Sequence, residues 1–529
     1  MTDNKNAAIG QFSSADIIAG ISVGLVLVPQ SMAYAALAGL APVHGLYAAA
    51  VAPIAAAFFA SSPFLQSGPV AMTSVLSFGA LSVVAVPMTE GYAMLAALLA
   101  LVVGVARLIF GLLRAGFVAD LMSQPITMGF SRAAGLLIIG SQLPKLLGAE
   151  PPVNGIVGST VWTLSNPNSW SLEPFAIGVV TLAIIIIGRR LHALFPGVLV
   201  AVAAGTAYSI WSGYDGAVVG DVPAVLPSIS LALPWVYLPH LIFPGLVIAL
   251  VGFAEPAAIA RTMATQTRTR WSPDRELISQ GAANITSSLV GGFPVGGSFS
   301  RTLVNRGAGA TSRWSGLITG LFVLSILPFA AYFAPLPLSV LAAIVIHAVI
   351  KLLDFSRLIR LLRISPPQAI VGWTTFVLTL VLAPRIDLAV MIGIGFGVGV
   401  HLWRERNVHL NTVYKDGELT LEPVGVIYFG SVTAFEDALI RELALHPNAR
   451  RLVIDLRKIG RLDFTGVQTL RDLAADATSA GLAVRIIPGH AIQGTKVLKR
   501  VIGEDSKYFA TDQEVKIDNG DDVPATPEK

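Results

Sequence analysis

The 529-residue chain has no cysteine, and charged residues make up only 13% of it. The absence of thiols excludes disulfide bonds, thiolate catalysis and cysteine-ligated metal sites. The chain also lacks a G-x-x-x-x-G-K-[ST] motif, which argues against a pump driven by nucleotide hydrolysis. Its apolar segments contain no metal-ligand cluster and no pairing of a nucleophile with a base. We therefore expect no enzymatic activity, no cofactor, no bound metal and no nucleic-acid partner.

Long apolar runs dominate what the chain does contain, and 54% of its residues are hydrophobic. Runs approaching ~20 apolar residues, bounded by Pro, Gly or charge, are typical of transmembrane helices. The pattern indicates a multi-pass α-helical protein in a lipid bilayer. Fourteen spans are predicted, near residues 16–40, 43–61, 66–86, 91–111, 120–144, 174–190, 195–212, 241–262, 275–292, 297–311, 314–333, 336–352, 367–384 and 386–402.

The positive charges test this count, because loops on the cytoplasmic side carry an excess of Lys and Arg. With the N-terminus inside, the outer loops hold only Lys145 and Arg385, and the long outer loop from Ser212 to His240 has neither residue type. The asymmetry predicts that both termini are cytoplasmic. The inner loops and their flanks hold Arg107, Arg114, Arg189, Arg190, Arg261, Arg268, Arg270, Arg275, Arg306, Arg313, Lys351, Arg357, Arg360, Arg363, Arg404 and Arg406.

Composition also predicts the domain boundaries. Residues 1–14 have no basic region followed by a cleavage site, so we interpret them as a retained cytoplasmic tail. A transport domain is predicted over residues 15–405, and an α/β domain over residues 410–510. Residues 511–529 are acidic and contain proline, which is typical of a disordered tail.

A glycine-rich break lies between two apolar segments at Gly291–Gly309, with the sequence GGFPVGGSFSRTLVNRGAG. Backbone without helical hydrogen bonds is tolerated at membrane depth only where it is buried in protein or lines a cavity. A new helix is predicted to begin near Ser298, with Arg301 in its first turn. The free N–H groups of a helix start and a guanidinium together favour an anion.

A matching break, QSGPVAMT at Gln66–Thr73, opens the third span, seven spans before the tenth. An odd separation inverts the topology, so the pair predicts a 7+7 inverted repeat, with repeat one at about 15–212 and repeat two at about 241–402. Two half-helices would then direct their N-termini at one site in the middle of the membrane. The alternative is a pair of ordinary Gly/Pro kinks.

Two motifs carry a family resemblance. The segments LVPQSMAYA (27–35) and PVHGLY (42–47) resemble the signature of the sulfate permease (SulP) anion transporters. GSFSR at 297–301, with Asn305 and Gly309, resembles the tenth-helix signature of the sulfate-type members. The resemblance extends over residues 12–510. It implies a core domain and a gate domain built from the inverted repeat, a substrate site between broken helices three and ten, and a homodimer.

On this resemblance, the substrate-binding residues include those at the two helix starts. Gln30 and Tyr34 join them, because Pro29 is expected to break the first span and turn the Gln30 amide toward the cavity. For Gln30 and Tyr34 the alternative is a packed, hydrogen-bonded pair inside the helix bundle; for Arg301 it is a charge that only sets topology. The predicted substrate-binding residues are Gln30, Tyr34, Val70, Ala71, Ser298, Phe299, Ser300 and Arg301.

Glu255 is a carboxyl group inside the eighth span, where an ionisable residue is by default a functional hypothesis. Pro256 follows it and is expected to bend the helix there. Apolar surroundings favour the protonated form, which suits a residue that loads and unloads a proton. The alternative is a structural ion pair with Arg301. Members that resemble sodium-coupled bicarbonate carriers tend to have Asp here and Thr four residues on, whereas this chain has Glu255 and Ile259.

Strand and helix patterns alternate after Arg406, and the stretch from Asp455 to Gly466 resembles the STAS domain of these transporters and of anti-sigma-factor antagonists. Thr465 occupies the position of the antagonists' phosphorylatable Ser or Thr, which makes it a possible regulatory phosphosite. Plain helix capping by Thr or Asp is the favoured alternative.

These observations predict a secondary active transporter in a bacterial-type inner membrane. It is expected to move a small oxyanion or dicarboxylate with protons by alternating access. Three alternatives stay open: a sodium-coupled bicarbonate transporter, a channel-like anion conductor, and an anion sensor that signals through the STAS domain.

Overall fold

In the computed structural model, residues 12–117, 122–153, 155–191, 195–406 and 408–489 are described. They divide into two compact units, with the division between Gly397 and Val398. Most of the predicted N-terminal tail, the end of the predicted STAS domain and the whole acidic tail lie outside the described residues.

Among the described residues, the first unit is helical and contains two very short strands, and its last helix continues past Gly397. Each of the fourteen predicted spans coincides with a helix, and seven of the described helices are long and apolar enough to cross a membrane. Two short helices, α6 and α14, were not predicted. The elements are α1 (Ser14–Leu37), α2 (Pro42–Phe59), β1 (Gln66–Gly68), α3 (Ala71–Leu81), α4 (Glu90–Leu112), α5 (Gln124–Leu147), α6 (Ile156–Ser165), α7 (Leu172–Leu191), α8 (Gly197–Ser212), α9 (Leu238–Thr267), α10 (Pro273–Leu289), β2 (Gly296–Ser298), α11 (Phe299–Gly307), α12 (Trp314–Ile326), α13 (Leu338–Val349), α14 (Ser356–Ile364), α15 (Pro366–Val381) and α16 (Ile386–Glu405).

The same order of elements occurs twice. In each half, two helices precede a three-residue strand, three helices follow it, and a short helix separates the fifth span from the last two. The packing between the halves is reciprocal. Helix α4 of the first half packs against α9 and α10 of the second, and α12 of the second half packs against α1 and α2 of the first. This is the arrangement expected of a 7+7 repeat, with α4 and α12 as counterparts.

Helix contacts separate the first unit into two groups. Helices α1–α4 and α9–α12 pack together as the core group, and α5–α8 pack with α13–α15 as the gate group. Small residues allow close approach within the core group. A Cβ atom at Gly45 would lie 2.0 Å from the Ser31 carbonyl oxygen, so α1 and α2 can touch only through glycine there.

Neither Pro29 nor Pro256 interrupts its helix, which corrects the expected break in the first span. Helix α1 runs continuously through Pro29, and α9 through Pro244 and Pro256. A proline removes one backbone donor, but membrane helices tolerate this loss where neighbouring helices and side chains support the freed groups.

The second unit is an α/β domain whose elements are β3 (His409–Lys415), β4 (Glu418–Ile427), α17 (Val432–Leu445), β5 (Arg451–Asp455), β6 (Ile459–Leu462), α18 (Phe464–Ser479) and β7 (Ala483–Ile487). The sheet order is β3-β4-β5-β7, with β6 paired to β4. Only β3 pairs antiparallel to its neighbour. Strand β4 alternates between buried and half-buried positions, so one face covers an apolar core formed with α17 and α18.

Candidate functional site

The two glycine-rich breaks meet in the middle of the first unit. Strands β1 and β2 pair antiparallel, with Gln66 opposite Ser298, Ser67 opposite Gly297, and Gly68 opposite Gly296. All residues of both strands are buried. Each break therefore supplies backbone hydrogen-bond partners for the other, which is how extended backbone can persist away from water.

A helix leaves each end of this two-stranded ribbon. Val70 caps α3 and accepts hydrogen bonds through its carbonyl from the hydroxyls of Thr73 and Ser74, at 3.2 and 2.8 Å. Ser298 caps α11, and its hydroxyl oxygen accepts from the Arg301 backbone N–H at 3.5 Å. The helix start near Ser298 is thus confirmed. Because the ribbon is only three residues long, both positive helix ends lie within one small region.

A cavity of about 600 Å³ adjoins this region. Tyr34 of α1 and Glu255 of α9 also line it. The gate group also contributes lining residues, such as Val198 of α8 and Val349 of α13. Seven of the nine residues predicted for binding or coupling thus share one cavity: Tyr34, Val70, Ala71, Glu255, Ser298, Phe299 and Ser300.

Gln30 and Arg301 are buried and are not among the residues that line the cavity. The Arg301 side chain is fully buried, and its three guanidinium nitrogens have no hydrogen-bond partner among the described residues. A Cβ atom built at Gly68 would lie 3.5 Å from Arg301 Nη2, so the absent side chain leaves room for the guanidinium beside β1. The Gln30 side-chain oxygen is likewise buried without a partner among those residues.

Arg301 and Glu255 interact electrostatically without direct pairing. The charges of Arg301, Glu255 and the Tyr34 hydroxyl act on one another, while the Arg301 nitrogens make no hydrogen bond. The structural ion pair considered for Glu255 is therefore not formed. A buried guanidinium with free donors attracts anions strongly, because charge-assisted hydrogen bonds gain strength away from water.

Two family models match the chain. The Sulfate permease family model matches residues 14–375. The chain belongs to this family. The STAS domain model matches residues 409–490, which identifies the second unit of this sulfate permease family member.

Known proteins of similar sequence or structure support this family assignment. The transporter is 31% identical to the probable sulfate transporter 4.2 of Arabidopsis thaliana over 90% of its own length and 76% of the relative's. The structure of murine Solute Carrier 26 family member A9, an anion transporter in the inward-facing state, gives a TM-score of 0.85 at 22% identity, over 97% of this chain and 92% of that one. The transmembrane domain of the cyanobacterial bicarbonate transporter BicA gives 0.62 at 26% identity, over 73% of this chain and 97% of that one. This chain is therefore a multi-pass membrane anion transporter and not an enzyme.

Arg107 of the transporter corrects a prediction. The charge pattern predicts that Arg107 flanks an inner loop, yet its side chain is fully buried in α4. It donates hydrogen bonds to the carbonyl oxygens of Ile248, Ala249 and Val295. Its place within an apolar run, Val102–Gly111, was a signal that could have identified it as an intramembrane residue.

Thr465 lies in the first turn of α18 in the STAS domain and is exposed. The cap of this helix is Asp463, whose carboxylate accepts from the Gly466 N–H at 2.8 Å. The capping predicted for this turn thus comes from the aspartate. The threonine hydroxyl stays available for modification, which leaves phosphorylation of Thr465 a prediction.

Proposed function

We propose that this transporter carries a sulfate-type oxyanion or a dicarboxylate together with protons, by alternating access of the core group against the gate group. The observation that carries the proposal is the placement of Glu255 in the cavity wall under the electrostatic influence of Arg301, whose buried guanidinium has no hydrogen-bond partner among the described residues. One group can take up a proton, the other attracts an anion, and they are close enough to influence each other.

The chemistry of coupling follows from this proximity. An ionised Glu255 offsets the positive field of Arg301 and repels an incoming anion. A proton on Glu255 removes that negative charge, so anion binding and protonation favour each other. Tyr34 and the N-termini of α3 and α11 supply further hydrogen-bond donors at the same cavity. The anion and the proton would therefore cross the membrane together.

Residue 259 favours protons over sodium as the coupling ion. Ile259 is buried in an apolar cluster with Leu65 and Met263. A threonine at this position would offer an oxygen ligand, whereas isoleucine offers carbon, and Na⁺ requires oxygen ligands. This is the main argument against the sodium-coupled bicarbonate alternative, for which the likeness to BicA is the supporting observation.

The cavity wall indicates which side of the transporter is open. Ser22 in the first half of α1, Gly307 at the end of α11 and Leu352 after α13 all line the cavity. By the predicted topology, these positions lie toward the cytoplasm. We infer an inward-facing conformation, in accord with the inward-facing state named for the murine relative.

Uptake by proteoliposomes tests the proposed function. Radiolabelled sulfate, bicarbonate and fumarate are supplied in turn, with and without an inward proton gradient and with sodium varied. We expect one anion to accumulate when the outside is acidic, regardless of sodium. Sodium-dependent uptake would support the bicarbonate alternative, and conductance without accumulation would support a channel.

Glu255→Gln tests the proton pathway directly. An amide has the size of the carboxylic acid but cannot release a proton, so pH-driven uptake should be abolished while anion exchange across the membrane continues. Glu90→Gln, an exposed change in the first turn of α4, is the control and should transport normally. Unchanged pH-driven uptake by Glu255→Gln would refute the assigned role.

We also propose that the transporter is a homodimer in a bacterial-type inner membrane, with both termini in the cytoplasm. The family resemblance supports the dimer, and the distribution of Lys and Arg supports the orientation. Native mass spectrometry and protease protection in sealed vesicles test the two statements.

A further inference from the structure

Arg107 connects two elements of the candidate site. Its Nε donates to the Ala249 carbonyl at 3.1 Å and its Nη2 to the Ile248 carbonyl at 3.2 Å, both on α9. Its Nη1 donates to the Val295 carbonyl at 2.9 Å, directly before β2. One side chain of α4 therefore joins the helix that carries Glu255 to the strand that leads to Arg301.

The Val295 end of this connection is held from a second side. The Asn284 side chain of α10 accepts from the Val295 N–H at 2.9 Å and donates to the Val295 carbonyl at 3.1 Å. Ala249 precedes Glu255 by six residues, and Val295 precedes Arg301 by six residues. Arg107 thus holds the backbone six residues before Glu255 and six residues before Arg301.

Burying the Arg107 charge costs free energy, which the connection between α9 and β2 explains. Arg107 is fully buried, and its acceptors are neutral carbonyl groups rather than a carboxylate. Between α12 and α1, two helices of the core group are joined without a buried charge. There, the Thr319 hydroxyl of α12 donates to the Gly20 carbonyl of α1 at 3.1 Å. A hydroxyl is therefore enough to join two helices, but it reaches fewer acceptors than a guanidinium.

The backbone of α9 is shaped to accept the guanidinium. A Cβ atom at Gly252 would lie 2.6 Å from Arg107 Nη2 and 3.1 Å from Thr73 Cγ2. Glycine at this position lets Arg107 approach α9 closely, three residues before Glu255.

We infer that Arg107 is a positioning residue for coupled transport. It holds α9 and β2 at a fixed separation, so that Glu255 and Arg301 keep their mutual electrostatic interaction while the core group moves. This inference rests on the proposed function of Glu255. The charged group that acts on Glu255 is Arg301, and Glu255 in turn acts on the Tyr34 hydroxyl.

The test compares Arg107→Gln and Arg107→Lys in the full-length protein. Sulfate binding and the pH dependence of uptake are both measured, together with thermal unfolding. Glutamine cannot reach all three carbonyls, so we expect sulfate affinity to fall about 10-fold or more and the pH of half-maximal uptake to shift. Lysine keeps the charge and should restore part of both properties, which a role in folding alone would not require.

Two further variants keep the test independent of folding defects. Gly252→Ala displaces the guanidinium without removing it, and should shift the pH midpoint in the same direction as Arg107→Gln. Arg132→Gln is the matched control, because Arg132 is also buried and donates to two backbone carbonyls, those of Asp354 and Met128, in the gate group. It should leave affinity and pH midpoint unchanged.

The outcomes separate the inference from the proposed function. A wild-type protein without proton-stimulated uptake would refute the proposed function, while sulfate affinity would still test the positioning role. Wild-type affinity and pH dependence in Arg107→Gln would overturn the inference. Equal losses in Arg107→Gln and Arg132→Gln would also overturn it, because the effect would then be general. If Arg107→Gln does not fold, the pH midpoint of uptake in Gly252→Ala tests the inference, and an unshifted midpoint would overturn it.

Discussion

Arg301 and Arg306 lie on the same nine-residue helix but in opposite environments. Arg301 is fully buried without a hydrogen-bond partner among the described residues, whereas Arg306 is half-buried and donates to Gln266. The Arg306 guanidinium also lies over the ring of Phe64, 6.0 Å from its centre. At the residue scale, this contrast separates a buried charge without a hydrogen-bond partner among the described residues, which the proposed function assigns to the anion, from a charge already satisfied by the protein.

Arg301→Ala should therefore weaken sulfate binding about 10-fold or more, because a charge-assisted interaction is lost from a buried site. Arg301→Lys keeps the charge without the guanidinium's planar array of donors and should show an intermediate affinity. Isothermal titration of the purified protein measures both variants. Arg306→Ala serves as the control and should bind as the wild type does. An unaltered affinity in Arg301→Ala would remove Arg301 from the site.

Close packing between elements suggests where the transporter is closed. Gly79, near the end of α3 in the core group, approaches the loop between α15 and α16. A Cβ atom there would lie 2.2 Å from the Pro384 carbonyl oxygen. By the predicted topology, this contact lies on the outer side, opposite the opening of the cavity. A backbone carbonyl cannot rotate away as a side chain can, so any larger residue must separate the two elements.

Gly79→Ala should thus weaken the closed outer side and shift the population away from the inward-open conformation. A single introduced cysteine reports this shift, since the natural chain has none. Ser22→Cys in the cavity wall is labelled with an impermeant maleimide from the cytoplasmic side, and Gly79→Ala should slow that labelling. Gly91→Ala, where a Cβ atom would meet nothing within 4 Å, is the control. Equal labelling rates with and without Gly79→Ala would contradict the prediction.

At the scale of the whole molecule, the chain combines a helical transport unit with an α/β domain that has its own apolar core. A unit with its own core can fold without its neighbour. The boundary at Gly397 and Val398 lies within α16, and Val398 comes twelve residues before the predicted start of the STAS domain at 410. We therefore expect truncation to separate the two units.

Deletion of residues after 410 should leave a folded membrane unit that still transports, with an altered rate or regulation. Size-exclusion chromatography and proteoliposome uptake measure the two properties. Loss of a cellular response to the anion with unchanged transport would instead favour the sensor alternative. A variant that folds but cannot transport would show that the STAS domain is required for the transport cycle.

Local chemistry explains what could be predicted from the sequence. Each of the fourteen predicted spans coincides with a helix, and seven of the described helices have the apolar length that a bilayer demands. The Gly/Pro/Ser breaks located the starts of α3 and α11, since neither break could continue a helix and Ser298 is a good cap. The position of Glu255 within an apolar run made it a functional hypothesis from the sequence alone. All of these signals depend on residues within a few positions of one another.

Contacts between distant residues decided the rest. Gln66 and Ser298 meet in one ribbon, a pairing that only the packing of the two repeats can select. Pro29 stays inside a helix and Gln30 stays out of the cavity wall because the surrounding core group stabilises α1. The sequence pattern predicts a loop charge at Arg107, whereas α9 and Val295 supply its acceptors in the fold. The sequence by itself determined the elements and the chemistry of the site, and the tertiary structure decided which residues face one another, because burial and pairing depend on neighbours distant along the chain.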